Sequence, residues 1–224
     1  MREKTADKLL KKVVEDYDNI AESFDKTRQN SWSIFNLILP YIKDNDFVID
    51  LGCGNGRVFG FLSQKKKIKY LGIEKSKNLL KKANENFKAE FIEGDMLNVP
   101  VENNLADVVI QSASLHHIPS GKLRKQAILE AKRMLKDNGI FIVSVWNLFQ
   151  PKYKKYIYKA YLRSFLSFGK YDLRDTFIPW NNTVKRYYYA FKPDELKSML
   201  ERNGFQILLE NIADNILFIC KKIK

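Results

Sequence analysis

Val48-Ile49-Asp50-Leu51-Gly52-Cys53-Gly54-Asn55-Gly56 is the stretch whose reading decides the fold. Its apolar start reads as a buried parallel strand over 47–51, its glycines as a tight turn, and the residues from Arg57 onward as a helix over 57–64. Strand, Gly-rich turn and helix in that order bring a backbone loop under a ligand at the carboxyl end of the strand. Gly52 and Gly54 carry no Cβ, so they permit the turn and leave room for a nucleoside and its tail, and Gly56 completes the pattern. The Asp50 carboxylate at the strand tip is expected to order the turn and suits the ammonium of an amino-acid moiety. A P-loop would need Gly-Lys-Ser or Gly-Lys-Thr here, and neither is present.

Outward from this loop, short apolar runs alternate with amphipathic segments. Strands are expected at 68–73, 89–93, 106–111 and 139–146, and helices at 76–86 and 121–136. That alternation implies parallel βαβ units with right-handed crossovers. Two helices, 5–28 and 31–43, precede the sheet. Pro193 opens a helix that Gly204 stops, and the runs 205–210 and 215–220 read as an antiparallel hairpin. The expectation is an α/β Rossmann-like fold: a mostly parallel seven-stranded sheet with a C-terminal antiparallel hairpin and helices on both faces. It forms one domain over 1–224, with N-terminal helices in 1–45 and an insertion over 147–192 after the fifth strand.

The insertion is compositionally odd. From Trp146 to Phe191 it holds 15 of the chain's 29 aromatic residues, and residues 151–191 carry nine Lys or Arg against Asp172 and Asp175. Most of these rings are expected to form the core of a small cap, since Tyr153, Tyr156, Ile157, Ala160, Tyr161 and Phe165 follow helical spacing. Basic residues interleaved with rings also suit RNA, where cations meet phosphates and rings stack on unpaired bases. The net charge of +13 points the same way, although 30 of the 39 basic residues are Lys and 18 residues are Asn, a bias that low-GC coding alone could produce. No apolar run reaches the roughly 18 residues of a membrane span and no apolar signal segment follows Met1. With only Cys53 and Cys220 there is no disulfide framework or metal cluster to expect. The chain is therefore expected to bind no metal or membrane and to be cytoplasmic, or nuclear.

Four positions at strand ends sharpen the ligand. Glu74, 24 residues after Asp50, ends the second strand, where a carboxylate can accept two ribose hydroxyls. Asp95 follows the third strand and can accept from an adenine amino group, Met96 offers the ring an apolar face, and Gln111 ends the fourth strand toward the methionine end. Together with the Gly loop they describe an S-adenosylmethionine site, with S-adenosylhomocysteine as the product.

With those residues placed, the chain resembles class I S-adenosylmethionine-dependent methyltransferases. A narrower resemblance rests on Tyr17-Asp18-Asn19-Ile20-Ala21, Thr27-Arg28 with Trp32, His116-His117, Val145-Trp146, Gln150, Asp175 with Pro179-Trp180, and Arg186-Tyr187-Tyr188 through Phe191. These are similar to motifs of the tRNA wobble-uridine carboxymethyl methyltransferases, which methylate the carboxylate of 5-carboxymethyluridine. Phe149 stands where that family tends to have Glu, and Pro119 and Tyr189 also differ. The resemblance implies tRNA as substrate, a small zinc-binding activator protein as partner, and Tyr17 closing over the cofactor.

An acceptor carboxylate is already ionised near neutral pH, so its methylation needs positioning rather than a general base. Arg28 or Arg186 could grip it in a fork, Trp146 or Tyr187 could stack on the uracil, and His116 could hydrogen-bond it. Trp32 and Trp180 are expected to be packing residues. Two other readings use the same loop: a methyltransferase for a quinone precursor or small carboxylic acid with the insertion as a lid, and a binding protein without turnover.

Overall fold

Five parallel strands grow from the Gly-loop strand: β1 (Phe47–Leu51), β2 (Lys69–Glu74), β3 (Glu90–Glu93), β4 (Ala106–Ser112) and β5 (Leu135–Trp146). In this computed structural model, which describes residues 1–28, 32–181 and 183–223, helix α1 (Glu3–Lys26) and the short α2 (Ile34–Ile38) come first. Helices α3 (Arg57–Leu62), α4 (Lys77–Asn86) and α5 (Gly121–Met134) lie between the strands. Beyond β5 come α6 (Lys154–Leu166) and a separate hairpin, β6 (Asp175–Trp180) with β7 (Val184–Tyr189). Then α7 (Pro193–Arg202), β8 (Phe205–Ile212) and β9 (Asn215–Lys222) close the chain's described part.

The main sheet has seven strands in the order β3-β2-β1-β4-β5-β9-β8. β1 is parallel to both β2 and β4, while β9 runs antiparallel to β5 and β8. The expected seven-stranded, mostly parallel architecture is the one observed. Strand order reverses between β1 and β4, and the crevice outside their carboxyl ends is where such sheets hold ligands. Alternation along β1 explains its central place: Ile49 and Leu51 enter one apolar layer, Val48 enters the other, and all three are fully buried.

Several boundaries differ from the expected ones. The helix expected over 31–43 is reduced to Ile34–Ile38 followed by a 3-10 turn over Leu39–Tyr41, because Pro40 has no N–H to continue an α-helix; Ser31 lies outside the described residues. The helix expected over 121–136 ends at Met134, and β5 starts at Leu135 rather than at 139. Ala106 pairs with Leu135 and Val108 with Ile140, so residues 136–139 bulge out of the ladder, with Asn138 at φ 63. Within the insertion, α6 forms where the helical spacing implies, but only Ile157 and Ala160 of it are buried, while Tyr161 and Phe165, expected in the core of the cap, are exposed; the β6–β7 hairpin is an element that no periodicity announced.

Among the described residues no helix is long and apolar enough to cross a membrane. Cys53 and Cys220 are both buried and unbridged.

Candidate active site

One cleft opens at the carboxyl ends of β1, β2 and β4, roofed by α1 and by the β7 face of the hairpin. At its floor Gly52 and Gly54 adopt φ 72 and 60. A Cβ on Gly52 would meet the Ser114 Cβ at 2.7 Å, so only glycine fits there, and one on Gly54 would make only ordinary van der Waals contact, with the Phe24 ring at 3.7 Å. Gly56 lies outside the cleft: it caps α3, and a Cβ there would strike Phe87 at 2.9 Å.

Glu74 organises the loop. Its Oε2 accepts the Gly54 N–H at 2.9 Å, and its Oε1 accepts the N–H groups of Lys75 at 2.9 Å and Ser76 at 2.8 Å. The end of β2 thus holds the turn after β1 and the start of α4 together, and the carboxylate keeps further lone pairs for a ligand. Burial raises its pKa, which these backbone donors oppose. Asp95 lines the same end, ion-paired with Lys75 and accepting the Leu97 N–H at 2.9 Å.

Asp50 and Gln111 differ from expectation. Neither lines the cleft and both are fully buried beneath the loop. The Asp50 Oδ2 accepts the Tyr70 hydroxyl at 2.7 Å, and its Oδ1 has no hydrogen-bond partner. Strand parity is the cause, because a side chain at the last residues of β1 points into a layer rather than along the strand axis. Gln111 turns under the cleft wall, its Nε2 donating to the Met96 Sδ at 3.3 Å, while Met96 itself lines the cleft. Burial lifts the Asp50 carboxyl to a pKa of about 7, with the Tyr70 bond opposing. A carboxyl whose pKa is raised in the folded chain contributes stability below the ordinary carboxylate range, and that contribution is lost as pH rises through about 7. Relative to Asp50→Asn, the wild-type melting temperature is therefore expected to fall as pH is raised from about 5 to about 8. A difference that stays constant over that range, measured by thermal unfolding of both proteins, would contradict this.

At the opposite end of the cleft the residues are cationic and aromatic. Arg186, only 3% exposed, lies with its guanidinium 4.5 Å from the Trp180 ring centroid, 5.2 Å from Tyr188 and 5.4 Å from Trp146. Its Nε has no partner. Arg28 stands over Phe24 and Trp180, each at 5.4 Å, and Arg57 over Trp32 at 3.6 Å. Burial lowers the Arg57 pKa to about 10 and also lowers that of Arg28, each lowered further by the neighbouring guanidinium. Among the described residues none of the three makes an ion pair with a carboxylate. Cation–π contact is worth about 0.5–2 kcal/mol, less than the several kcal/mol for desolvating an ion, and the carboxylates that act on these charges, Asp50 on Arg57 and Asp16 on Arg186, do so from beyond ion-pairing distance.

The two histidines are fixed as neutral donors. His117 Nδ1 meets the Tyr187 carbonyl at 2.7 Å, which can only accept, so Nδ1 carries the proton and Nε2 accepts the Tyr17 hydroxyl at 2.7 Å. His116 Nδ1 accepts the Trp146 N–H at 3.1 Å, leaving its Nε2–H as a donor on a ring that lines the cleft. Burial holds the His117 pKa down at about 3 and that of His116 well below its usual value, and the charge of Arg186 presses both the same way. Neither is protonated near neutral pH.

The structure therefore brings Tyr17, Arg28, Gly52, Gly54, Glu74, Asp95, Met96, His116, Trp146 and Arg186 into one cleft. It does not bring Tyr187 there. In β7 successive side chains alternate, so Arg186 and Tyr188 face the cleft, while Tyr187 turns into the core and donates its hydroxyl to Asp175 at 2.7 Å. Tyr188, stacked on Trp146 at 5.1 Å and 26°, holds the position expected of Tyr187. Arg57 was also missed; its place as the first helical residue after a ligand-facing Gly loop is the signal that marks it.

Seven strands in this order, with a Gly loop and strand-end acids around one crevice, are the α/β Rossmann-like methyltransferase fold. Residues 49–143 match the family model of the methyltransferase domain, and the protein is an S-adenosylmethionine-dependent methyltransferase. The buried atoms without partners on two residues that line the cleft, the Asn55 Oδ1 and the Arg57 Nη1, fit a polar ligand of that kind. The chain is 34% identical over 139 residues to the Xenopus tropicalis protein named tRNA (carboxymethyluridine(34)-5-O)-methyltransferase, covering 62% of this chain and 21% of that protein. It is 25% identical over 215 residues to the Schizosaccharomyces pombe protein of the same name, covering 86% and 87%. Among solved structures, the methyltransferase chain complexed with the Haloferax volcanii Trm112 methyltransferase activator superposes with a TM-score of 0.70 at 16% identity, covering 93% and 98%.

Proposed function

We propose that the protein transfers the methyl group of S-adenosylmethionine to the carboxylate of 5-carboxymethyluridine at the wobble position of tRNA. The observation that carries this reading is the cationic end of the cleft: Arg28 and Arg186 stand among Phe24, Trp146, Trp180 and Tyr188 with no carboxylate counterion among the described residues. An acceptor that brings its own negative charge and a planar ring suits that environment. The names of the frog and fission-yeast relatives support the same acceptor.

The cofactor supplies an electrophilic methyl on a sulfonium, and the rest is positioning. Glu74 and the Gly52–Gly54 backbone would take the ribose and the tail, Asp95 and Met96 the adenine, and Tyr17 would close over the centre. Gln111 would act from beneath by holding the Met96 thioether, and Asp50 by its bond to Tyr70 beneath the loop. Arg186 would hold the acceptor carboxylate in a fork, with Arg28 as second cation. Trp146 would offer the base a ring face with Tyr188 stacked behind it, and the His116 Nε2–H would donate to the base. No residue has to remove a proton, which agrees with the neutral, low-pKa histidines. Alignment of this sort can supply roughly 7 to 11 kcal/mol in ideal cases.

An activator subunit is part of the proposal, supported by the fold shared with the Haloferax chain seen with its Trm112 activator. Incubation with labelled S-adenosylmethionine and either bulk tRNA or a metabolite extract tests the acceptor class. Label is expected in tRNA, and label confined to small molecules would remove the RNA reading.

A further inference from the structure

A second concavity lies on the far side of α1 from the cleft. This groove of about 600 Å³ runs between the first three turns of α1 and the cap. Arg2, Lys4, Lys8 and Lys12 line one wall, and Lys170 with the rings of Tyr171 and Phe177 the other, over a floor of Thr5 and Leu9. No carboxylate lines it among the described residues.

Lys4, Lys8 and Lys12 recur every four residues, so they form one stripe along α1 at steps of about 6 Å. Only Lys12 is neutralised, by Asp16 at 2.6 Å. Arg2 donates to the Phe168 carbonyl at 3.1 Å, and Lys4, Lys8 and Lys170 make no ion pair among the described residues. The Tyr171 and Phe177 rings meet edge to face at 6.1 Å, and Arg163 covers Phe177 at 4.5 Å. Several like charges facing one another across a groove repel until a polyanion enters, and the rings favour one that also carries bases.

The groove is tied to the cleft by two elements. Leu10, Val13, Val14 and Tyr17 of α1 line the cleft while Leu9 and Lys12 line the groove, so the two sites are separated by the width of one helix, about 10–12 Å. On the hairpin, Phe177 precedes Ile178, which pairs with Arg186. A chain with one nucleotide in the cleft would have its neighbouring phosphates within reach of the stripe.

The geometry points to this groove as the track for the RNA backbone: it binds phosphates flanking the target nucleotide, without reading sequence. This rests on the tRNA reading of the cleft. Its test is the affinity of the full chain for an unmodified tRNA transcript across a salt series, which needs no methyl transfer. The Lys4→Ala/Lys8→Ala/Lys170→Ala variant is expected to bind about tenfold or more weakly, with the slope of log K against log salt shallower by about 2. Lys4→Arg/Lys8→Arg/Lys170→Arg is expected to bind like the wild type, so that lost charge rather than lost folding is measured. Unchanged affinity and slope in the alanine variant would overturn the groove while leaving the methylation reading intact if the wild type still methylates tRNA. A wild type that binds no tRNA would overturn both. Displacement of tRNA by polyglutamate at equal charge would overturn the RNA assignment in favour of an acidic protein partner.

Discussion

Arg186→Ala is expected to slow methyl transfer to carboxymethylated tRNA about 100- to 1000-fold while leaving affinity for S-adenosylmethionine within about threefold. The magnitude follows from burial. A guanidinium that is 3% exposed and lacks a carboxylate partner has given up water, and an incoming carboxylate would recover that loss as charge-assisted hydrogen bonds in a low dielectric. Truncating one partner of such a pair costs about 2–5 kcal/mol. Arg186→Lys keeps the charge but not the planar fork or the stacking on Trp180 and Tyr188, so it should recover only part of the rate. Single-turnover kinetics beside calorimetric titration of the cofactor separate the two effects, and an equal loss in both would contradict the assignment of Arg186 to the acceptor.

The second large effect belongs to the other end of the cleft. Glu74→Ala is expected to weaken S-adenosylmethionine binding by about 2–4 kcal/mol, which is roughly 30- to 1000-fold. The residue holds three backbone N–H groups from two elements, at 2.8 to 2.9 Å, and its loss would free both the Gly54 peptide and the start of α4. Glu74→Gln should fall between, because the amide oxygen can still accept some of these donors but its NH₂ faces the others. If equilibrium titration gave Glu74→Ala the wild-type affinity, the ligand would not lie against the Gly loop and β2 end.

How far the sequence carried depended on whether a local pattern could express the answer. The Gly loop after an apolar strand, with Glu74 and Asp95 at later strand ends, is written in short consecutive stretches, and the sheet and cleft floor formed as those stretches imply. The β6–β7 hairpin is not written that way. Tyr187-Tyr188-Tyr189 is aromatic at every position and Pro179 sits within β6, so neither alternation nor a clean turn signal appears. Without the strand, its parity was invisible, and Tyr187 rather than Tyr188 was expected to meet the substrate. Asp50 failed for a related reason: its type suited an ammonium, but strand parity turns it into the layer beneath, where its hydroxyl partner Tyr70 comes from the neighbouring strand, 20 residues away. Arg57 lies in plain view after the loop, yet its proximity to Trp32 and its unpaired Nη1 exist only once α2 is folded against α3.

The proposed reaction delivers a methyl group in the cleft to an anionic carboxymethyl group on a wobble uridine. Mass spectrometry of nucleosides from tRNA carrying 5-carboxymethyluridine, before and after incubation with the enzyme, S-adenosylmethionine and an activator subunit, tests it most directly. The predicted result is loss of 5-carboxymethyluridine matched by gain of its methyl ester, with every other nucleoside unchanged. Transfer to a different nucleoside, or an unchanged carboxymethyluridine pool alongside methylation of a small carboxylic acid, would contradict it.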